Sequence, residues 1–521
     1  MKAEGKKTRL PRGAEKRARK ERVGLDPETW RKTLLDSERG TLVKDAPFRI
    51  ALCYPLPYHA AMSSLGFQVI YRMMNEQSGL ACERVVLPDD VRAWKGRGLT
   101  PVSIETGRPL KDFDLVAVSM TWDLDLVGFF DLLDLAGIPI ERAKRTRWDP
   151  AILIGGPLTA SNPLPLADFI DMAVIGDGER AVPKVLDALE DASDRDDLFD
   201  RIGQVPGVWI PERDGDKIPA TQKVPLDYPA VSQIVTPLSE LSNMFLVEAS
   251  RGCPRFCKFC LVRSPESPMR ENELEAVLSR IPDWAPRVGF VGAAISEWAF
   301  IKDALRRVTD LGKGVGISSL RADRLDDEFV HLLAKGGVRG MTVASDAPSQ
   351  RQRNKMGKAI KTAHLLNAAR LAKAHGMNKL KLYVIVGLPD ETDEDLDELV
   401  AFARELSDIL PTSLGLSPLV PKLHTPLGDA PFAGIDPIDR TLERLRKGLE
   451  GVAEIRSTSA RWAWVEYQLS QGGARSGHAA LEAWRDGGDF RAWERALTGL
   501  PEREALIAAR RHNLFAAAGM R

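Results

Sequence analysis

Short apolar runs alternate with helix-period segments in two successive blocks of this sequence, and this alternation restricts the chain to α/β folds. The first block has five such runs, separated by helical segments such as Leu65 to Glu76. The second block begins at Met244 and has six runs. Parallel strands need long, usually helical connections, so each block predicts its own parallel sheet. At 521 residues the chain is long enough for two or three domains.

The first block, residues 46–190, predicts a doubly wound sheet of the flavodoxin- or Rossmann-like kind. Its runs are FRIALCY, ERVVLP, FDLVAVSMTW, AILIGG and DMAVIG. Ligands of such sheets bind beyond the carboxyl ends of the strands, where this chain carries the loops SMTWDLD, GGPLTASNP and GDGE. None of these loops is a dinucleotide-binding G-x-G-x-x-G or a phosphate-binding P-loop, so the sequence does not favour nucleotide binding.

The second block, residues 244–425, predicts a partial (β/α)6 barrel whose catalytic groups lie on the loops after its strands. Its runs are MFLVEAS, RVGFVGAA, GVGISS, RGMTVAS, LKLYVIVG and TSLGLSPL. A connector rich in Pro, Gly and charge, residues 191–243, joins the two blocks. We expect residues 426–521 to be helical and to form a cap over the barrel, with most of their Trp residues in its core.

Three cysteines, Cys253, Cys257 and Cys260, lie within eight residues in the stretch RGCPRFCKFCL, directly after the first strand of the second block. Three thiolates at this C-x3-C-x2-C spacing can hold three irons of a cubane cluster and leave the fourth iron open. A structural zinc site is the alternative, but it needs a fourth protein ligand. The next His is His331, and the two other cysteines lie in the first block.

This spacing, with Phe259 just before the last cysteine and a six-unit barrel around it, resembles the radical S-adenosylmethionine (SAM) superfamily. The ends of later strands resemble the SAM-binding segments of that superfamily in order and spacing, and Glu297 lies close to the second of them. The resemblance implies a [4Fe-4S] cluster and SAM as cofactors. It also implies SAM contacts from Phe259, Gly292, Ala293, Ala294, Ser318, Arg321, Asp346, Arg351, Gly387 and Leu388.

Together with the sheet in front, the chain resembles radical SAM proteins that carry an N-terminal cobalamin (B12)-binding domain. Stretches such as YPLPYHAAMSSLG, IGDGE and VPKLHTP are similar to an uncharacterised subgroup of them, from about Phe48 to Pro426. The cobalt-ligating motif D-x-H-x-x-G is missing; His59 either ligates cobalt or makes a local hydrogen bond. The resemblance implies cobalamin contacts from Tyr54, His59, Ser119, Thr121, Gly155, Gly156, Gly176, Gly178 and Glu179.

The resemblance implies an enzyme that cleaves SAM at the cluster to a 5′-deoxyadenosyl radical and methylates an unactivated carbon of an unknown substrate. Radical cyclisation or rearrangement without methyl transfer is one alternative, and a non-catalytic cobalamin or cluster sensor is another. The candidate catalytic residues are Tyr383 on the fifth strand of the barrel and Lys422 and His424 just past the sixth. A Pro-braced loop with solvated charges is the alternative interpretation of the last two.

Composition limits the partners and the compartment. Lys plus Arg and Asp plus Glu both number 73, so no overall field attracts nucleic acid or a membrane. Five cysteines and the absence of a long apolar run indicate a reducing compartment, the cytoplasm. Residues 1–45 begin with a basic stretch and are expected to be a disordered tail or an arm for a polyanion. We expect a small-molecule or peptidic substrate and an electron donor such as flavodoxin or ferredoxin; RNA, stacked on C-terminal Trp and Arg, is the alternative.

Overall fold

The computed structural model describes residues 26–226, 228–262 and 268–500. A sheet of six strands forms the centre of the first domain. The strands are β1 (Phe48–Pro57), β2 (Leu80–Leu87), β3 (Leu115–Ser119), β4 (Ala151–Gly155), β5 (Met172–Val174) and β6 (Val208–Trp209). Their order is β2-β1-β3-β4-β5-β6, and only β6 is antiparallel to its neighbour. The order of the first five strands is that of the flavodoxin-like fold, which confirms the prediction.

Helices cover both faces of this sheet, and this is why all eight residues of β2 are buried. The helix predicted at Leu65 to Glu76 is present with those bounds, and the Ser64 hydroxyl caps it by accepting a hydrogen bond from the Phe67 backbone N–H. The helices are α1 (Pro27–Ser37), α2 (Tyr58–Ala61), α3 (Leu65–Glu76), α4 (Val91–Gly96), α5 (Asp125–Ala136), α6 (Ala181–Asp191), α7 (Arg195–Ile202) and α8 (Pro211–Asp214).

Two segments predicted to be irregular are ordered. Helix α1 lies inside the segment expected to be a disordered tail, because Trp30 and Leu34 on one of its faces are buried against the first domain. The rest of that prediction, for residues 1–25, lies outside the described residues. In the predicted connector, β6 pairs with β5 and extends the first sheet.

Seven parallel strands form an open barrel in the second part of the chain. They are β7 (Phe245–Glu248), β10 (Arg287–Val291), β11 (Gly314–Ile317), β12 (Gly340–Ala344), β13 (Lys379–Val386), β14 (Thr412–Pro418) and β15 (Glu454–Ser457); a short antiparallel ribbon, β8 (Ser250–Arg251) and β9 (Arg270–Glu271), follows β7. They pair in the orders β11-β10-β7 and β12-β13-β14-β15, and a bridge between Leu320 and Val343 joins the two sheets. The six predicted barrel strands are confirmed.

Helices on the outside of the barrel bury its outer face. They are α9 (Leu274–Leu278), α10 (Ile301–Asp310), α11 (Asp327–Lys335), α12 (Gln350–Lys355), α13 (Thr362–Ala374), α14 (Asp393–Ile409) and α15 (Ile435–Gly448). The seventh strand, β15, lies in the segment predicted to be helical. Its sequence, EIRS, is short and polar because it is an exposed edge strand, so it lacks the apolar run by which the other six were recognised.

The C-terminal helices α16 (Ala460–Gln471), α17 (Ala474–Arg485) and α18 (Phe490–Leu497) pack mainly on the first domain, not over the barrel as predicted. The Trp484 indole N–H donates to Asp131 of α5 at 2.9 Å, and Trp493 is fully buried. Trp462, Trp464, Trp484 and Trp493 each contact another aromatic ring of this chain, so base stacking is not needed to explain them. Among the described helices, none combines the length and the apolar character that crossing a bilayer requires.

Candidate functional site

The cysteine loop follows β7 at the carboxyl edge of the barrel, and the ribbon of β8 and β9 closes its base. Gly252 begins the loop with φ +89°, a conformation that favours glycine. On the far side, the Lys258 backbone N–H donates to the carbonyl of Met356 at 3.0 Å. Gly357 allows this approach, because a Cβ there would lie 2.9 Å from the Phe256 carbonyl oxygen. The loop is therefore fixed between two elements of the barrel.

All three cysteines of this loop line one cavity of about 360 Å³ at the barrel mouth. All of them are free thiols; Cys257 is buried, and Cys253 and Cys260 are half-buried. Burial raises the pKa of the Cys257 thiol. Six other residues predicted from the sequence also line this cavity: Phe259, Ala293, Ala294, Arg321, Asp346 and Tyr383.

The thiols fit an iron–sulfur cluster in number and placement, since they share one partly open cavity that has room beyond them. Among the described residues, no three His, Cys, Asp or Glu side chains are placed to bind a single metal ion. In a cubane cluster each thiolate binds a different iron, so convergence on one point is not required.

A buried carboxylate, Glu297, organises the positive charge beside the cysteine loop. Its side chain is 4% exposed and forms ion pairs with three arginines: Arg255 at 2.7 Å, Arg321 at 3.1 Å and Arg324 at 2.8 Å. Arg255 lies between Cys253 and Cys257 in the sequence, so one of these pairs holds the loop itself. A second carboxylate, Asp323, pairs with Arg321 at 3.0 Å, so three guanidinium groups meet two carboxylates. The cluster keeps a net positive charge, which suits thiolates and an anionic ligand group.

A second ion pair lines the same cavity, next to Arg321, whose guanidinium donates to the Lys358 carbonyl at 3.2 Å. The buried Lys358 ammonium is 2.5 Å from Asp346 Oδ2, and Asp346 has a left-handed backbone with φ +58°. A non-glycine residue in this conformation is strained, and the pair with Lys358 helps to fix it. The sequence did not predict roles for Lys358 and Arg255 or the contact of Glu297 with three arginines. The only available signal was Arg255, inside the cysteine motif.

Four predicted SAM contacts lie near the cavity without lining it. A Cβ at Gly292 would be 2.6 Å from the Ser250 hydroxyl oxygen, so the glycine permits close packing behind Ala293. Ser319 lines the cavity, whereas its neighbour Ser318 does not. Gly387 and Leu388 follow β13, and Leu388 packs with Phe259 beneath the cysteine loop. These four residues stay predictions.

The backbone turn after β13 is held by Glu391. Its carboxylate accepts hydrogen bonds from the Gly387 N–H at 3.1 Å and from the Leu388 N–H at 3.4 Å. Burial raises the pKa of Glu391 to about 7, although these hydrogen bonds oppose the rise. The carboxyl group thus supports the turn that was predicted to contact SAM.

The structure corrects the prediction for Arg351. Its half-exposed side chain lies on α12 outside the cavity, where it is ion-paired with Asp395. Asp395 lies in the first turn of α14, where it also caps the helix by accepting from the Thr392 N–H at 2.9 Å. Burial of Asp395 favours its neutral form, but bonds from Arg351 and Ser349 lower its pKa to about 2. Arg351 therefore pairs with a carboxylate, as expected, but this carboxylate is Asp395 of the neighbouring helix α14.

Lys422 and His424 also lie outside the cavity. The Lys422 ammonium is buried between Asp123, in the loop after β3, and Glu466 of α16, with 2.8 Å to Glu466. It joins three parts of the chain and does not face the mouth of the barrel as predicted. His424 has φ +62°, and burial lowers the pKa of its imidazole.

The predicted cobalamin residues follow the strands of the first sheet at their carboxyl ends. Tyr54 is buried, and its phenol contacts Thr121, whose hydroxyl donates to Asp125 at 2.5 Å. Space beside Gly155 is open, because a Cβ there would contact nothing within 4 Å. Gly156 and Gly176 have φ +98°. Ser119 is the last residue of β3, and Gly178 lies in the loop after β5.

His59 lies on α2 between two carboxylates. Its Nδ1 is 3.9 Å from Asp89 Oδ1, and its Nε2 is 3.7 Å from Glu240 Oε1. Both ring nitrogens therefore face acidic partners within the chain.

Glu179 joins the two parts of the molecule. Its carboxylate accepts a hydrogen bond from Arg251, the residue two positions before Cys253, at 2.6 Å. Arg251 also lies 3.3 Å from Asp177 of the same strand-end loop. The carboxyl edge of the first sheet therefore lies against the base of the cysteine loop. Glu179 was predicted to contact cobalamin, but here it binds the barrel.

Two curated relatives align with more than half of this chain. An uncharacterized protein of Methanocaldococcus jannaschii, MJ0966, is 28% identical over 364 residues, which are 67% of this chain and 76% of that protein. An uncharacterized methyltransferase of Pyrococcus horikoshii, PH0819, is 24% identical over 324 residues, 56% of this chain and 67% of its own.

Among solved structures, the radical SAM methyltransferase TsrM from Kitasatospora setae, with cobalamin and a [4Fe-4S] cluster bound, has the same fold. It superposes with a TM-score of 0.56 at 15% identity, over 86% of this chain and 99% of that one. Its complex with tryptophan and a SAM analog gives a TM-score of 0.53 at 17% identity, over 73% and 75% of the two chains.

Two family models match the chain. "Radical SAM proteins, N-terminal" matches residues 66–211, most of the first sheet, and "Radical SAM superfamily" matches residues 247–403, which include all three cysteines. Together they span more than half of the sequence and agree with the resemblance carried by the cysteine spacing. The chain belongs to the radical SAM superfamily.

Proposed function

We propose that this protein is a cobalamin-dependent radical SAM enzyme that methylates an unactivated carbon of a small or peptidic substrate. The observation that carries the proposal is the ion pair between Glu179 and Arg251. It brings the strand ends of the first sheet, where such sheets bind ligands, next to the cysteine cavity. Two ligands bound at these places would face a shared space, as two-cofactor chemistry on one substrate requires.

The residues that would hold the cluster are Cys253, Cys257 and Cys260, and those best placed to contact SAM are Ala293, Ala294 and Arg321 on the cavity wall. When bound, the cluster, SAM and cobalamin would supply reductive SAM cleavage, hydrogen abstraction and a methyl group. The side chains of the protein hold the cofactor-binding segments in place. Arg255 and Glu297 hold the cysteine loop, and Glu391 holds the turn after β13.

The first sheet is suited to a large planar ligand at its carboxyl edge. Gly155 leaves open space beside the backbone, and Trp122, at the end of β3, is 42% exposed. We propose that cobalt takes no ligand from His59, because Asp89 and Glu240 flank both of its ring nitrogens. His59→Ala should therefore leave the visible spectrum of bound cobalamin unchanged. A shift toward the spectrum of cobalamin without a lower ligand would show that His59 is the ligand.

We also propose a one-electron donor such as flavodoxin or ferredoxin, and a reducing compartment, the cytoplasm, since all five cysteines are free. RNA is the alternative substrate. Its support is that enzymes of the type tRNA-2-methylthio-N(6)-dimethylallyladenosine synthase are 25% identical over 171 residues, 30% of this chain.

Anaerobic reconstitution tests the proposal. The protein should bind about four irons per chain, and alanine at all three cysteines should abolish this binding. With SAM, a reductant and cell extract, it should form both 5′-deoxyadenosine and S-adenosylhomocysteine, and deuterium from methyl-labelled SAM should appear in a product. Deoxyadenosine without S-adenosylhomocysteine, and no labelled product, would instead indicate cyclisation or rearrangement. Retention of one zinc without iron uptake would reject the radical chemistry, and no SAM cleavage at all would favour a sensor.

A further inference from the structure

In the middle of β13, Lys381 and Tyr383 face the inside of the barrel, where branched apolar side chains usually dominate. Burial alternates along this strand, as expected when successive residues face opposite sides. One set, Leu380, Leu382, Val384 and Val386, is fully buried in the core under the helices. Lys381 and Tyr383 belong to the other set, and Tyr383 lines the cysteine cavity with 38% of its surface exposed.

The neighbouring strand makes room for the Tyr383 ring. In the parallel register of β13 and β14, Tyr383 lies beside Gly415. A Cβ at position 415 would lie 2.8 Å from the Tyr383 ring, closer than real Cβ atoms come to other atoms. The ring lies across β14 only because that residue is glycine.

Lys381 points toward the phenol and has no acidic partner. Its ammonium donates a hydrogen bond to Tyr383 Oη at 2.9 Å, and among the described residues it forms no ion pair. Lys379, two residues earlier on the same side of the strand, differs in this respect, because it pairs with Glu454 at 2.6 Å. The register neighbours of Lys381 are Thr342 and Ser413, which bring hydroxyl groups to its sides.

An unpaired ammonium inside a barrel favours a bound counter-ion, because partial burial removes water from the charge. Since the ammonium donates to the phenol oxygen, the phenol's own proton is directed away from Lys381 and can be donated to a ligand. We propose that Lys381 and Tyr383 bind an anionic oxygen group of the substrate, a carboxylate or a phosphate. The inference rests on the proposed function, because it takes the cavity as the place of the reaction.

Protection of lysines from acetylation tests this site in the reconstituted full-length protein. Three probes of similar shape are compared: 3-phenylpropionate, phenyl phosphate and the neutral 3-phenylpropionamide. Peptide mass spectrometry gives the acetylation rate of each lysine. At ten times its Kd, an anionic probe should slow acetylation of Lys381 about tenfold and leave Lys379 unaffected. The more protective anion identifies the source of the charge as carboxylate or phosphate.

Three results would overturn the proposal: no protection by either anion, equal protection by the amide, or equal protection of Lys379. Two variants sharpen the test. Tyr383→Phe keeps the ring and should raise the half-protecting probe concentration about tenfold, the equivalent of one lost hydrogen bond to a charged group. Lys379→Gln, the matched control, should leave that concentration unchanged. This experiment needs no SAM cleavage, so its failure in a protein that binds iron and forms deoxyadenosine would reject the anion site alone.

Discussion

The Arg251 guanidinium donates a hydrogen bond to Glu179 Oε1 at 2.6 Å, and this contact joins the barrel to the carboxyl edge of the first sheet. Arg251 also binds Glu248 of β7 at 2.8 Å, so it is held from both sides. Burial alone would lower the pKa of Arg251, but the hydrogen bonds that it donates to Glu248 and Glu179 raise it. Arg251 therefore helps to fix the distance between the cysteine loop and the strand-end loops, together with Arg270 of β9, which lies 3.0 Å from Asp177.

Arg251→Gln should weaken this junction. Glu179 and Glu248 would lose their shared cation, while Asp177 would keep its ion pair with Arg270. The Arg251 side chain is 23% exposed, so we expect a loss of about 2 kcal/mol in unfolding free energy. The measurement is the urea midpoint, together with protease cleavage in the connector between the two parts. Arg306→Gln, which removes an exposed ion pair with Glu328, is the control and should change neither. An unchanged midpoint in Arg251→Gln would show that the junction does not depend on this residue.

Lys422→Met should lower the unfolding free energy more than Arg251→Gln does. It leaves Asp123 and Glu466 buried beside each other without their cation, and we expect a loss of about 3 kcal/mol. Protonating one carboxylate relieves this repulsion, so the variant should recover stability as the pH falls. Adding Asp123→Asn should restore part of the loss at neutral pH. Thermal unfolding of the single and double variants at two pH values measures both effects, and a double variant no more stable than the single one would contradict the ion-pair explanation.

The sequence was sufficient for the elements that carry strong apolar periodicity. The five parallel strands of the first sheet and six barrel strands were predicted because each contains a buried apolar run, and the cysteine spacing predicts the cluster site. Strand β15 was missed because an exposed edge strand needs no apolar residues. The surroundings of Lys422 were not predicted, because its partners, Asp123 and Glu466, are distant in sequence and no local pattern encodes such a contact.

The cavity wall was predictable in part for the same reason. Ala293 and Ala294 follow a strand directly, so their place at the barrel mouth comes from topology. Glu297 binds three arginines from two separate segments, and Lys358 binds Asp346 across a turn and a short helix. These ion pairs depend on tertiary packing, which a single sequence does not reveal.

Glu391 should make the stability depend on pH between its unfolded and folded pKa values. The folded pKa is about 7, against an ordinary value of 4.5. In this range the folded state binds more protons than the unfolded state, so stability falls as the pH rises, in total by about 3 kcal/mol at most. Glu391→Gln cannot titrate and should lack this contribution. Unfolding free energies of both proteins from pH 4.5 to pH 8 test the sign; a difference that does not vary with pH would refute it.

Glu297→Gln should loosen the cysteine loop without removing any thiol. Arg255, Arg321 and Arg324 would keep their positive charges but lose the carboxylate between them. Asp323 stays paired with Arg321 and offsets only part of the repulsion, which would push Arg255 and its loop outward. We expect a loss of about 3 kcal/mol in unfolding free energy and a faster loss of iron in air than in the unaltered protein. Glu275→Gln breaks an exposed pair with Arg307 and serves as the control. Iron content after reconstitution and after timed exposure to air gives the comparison. If Glu297→Gln retains iron as long as Glu275→Gln does, then the cysteine loop is held by the backbone contacts of Lys258 and Gly357, and the arginine cluster serves only the cavity.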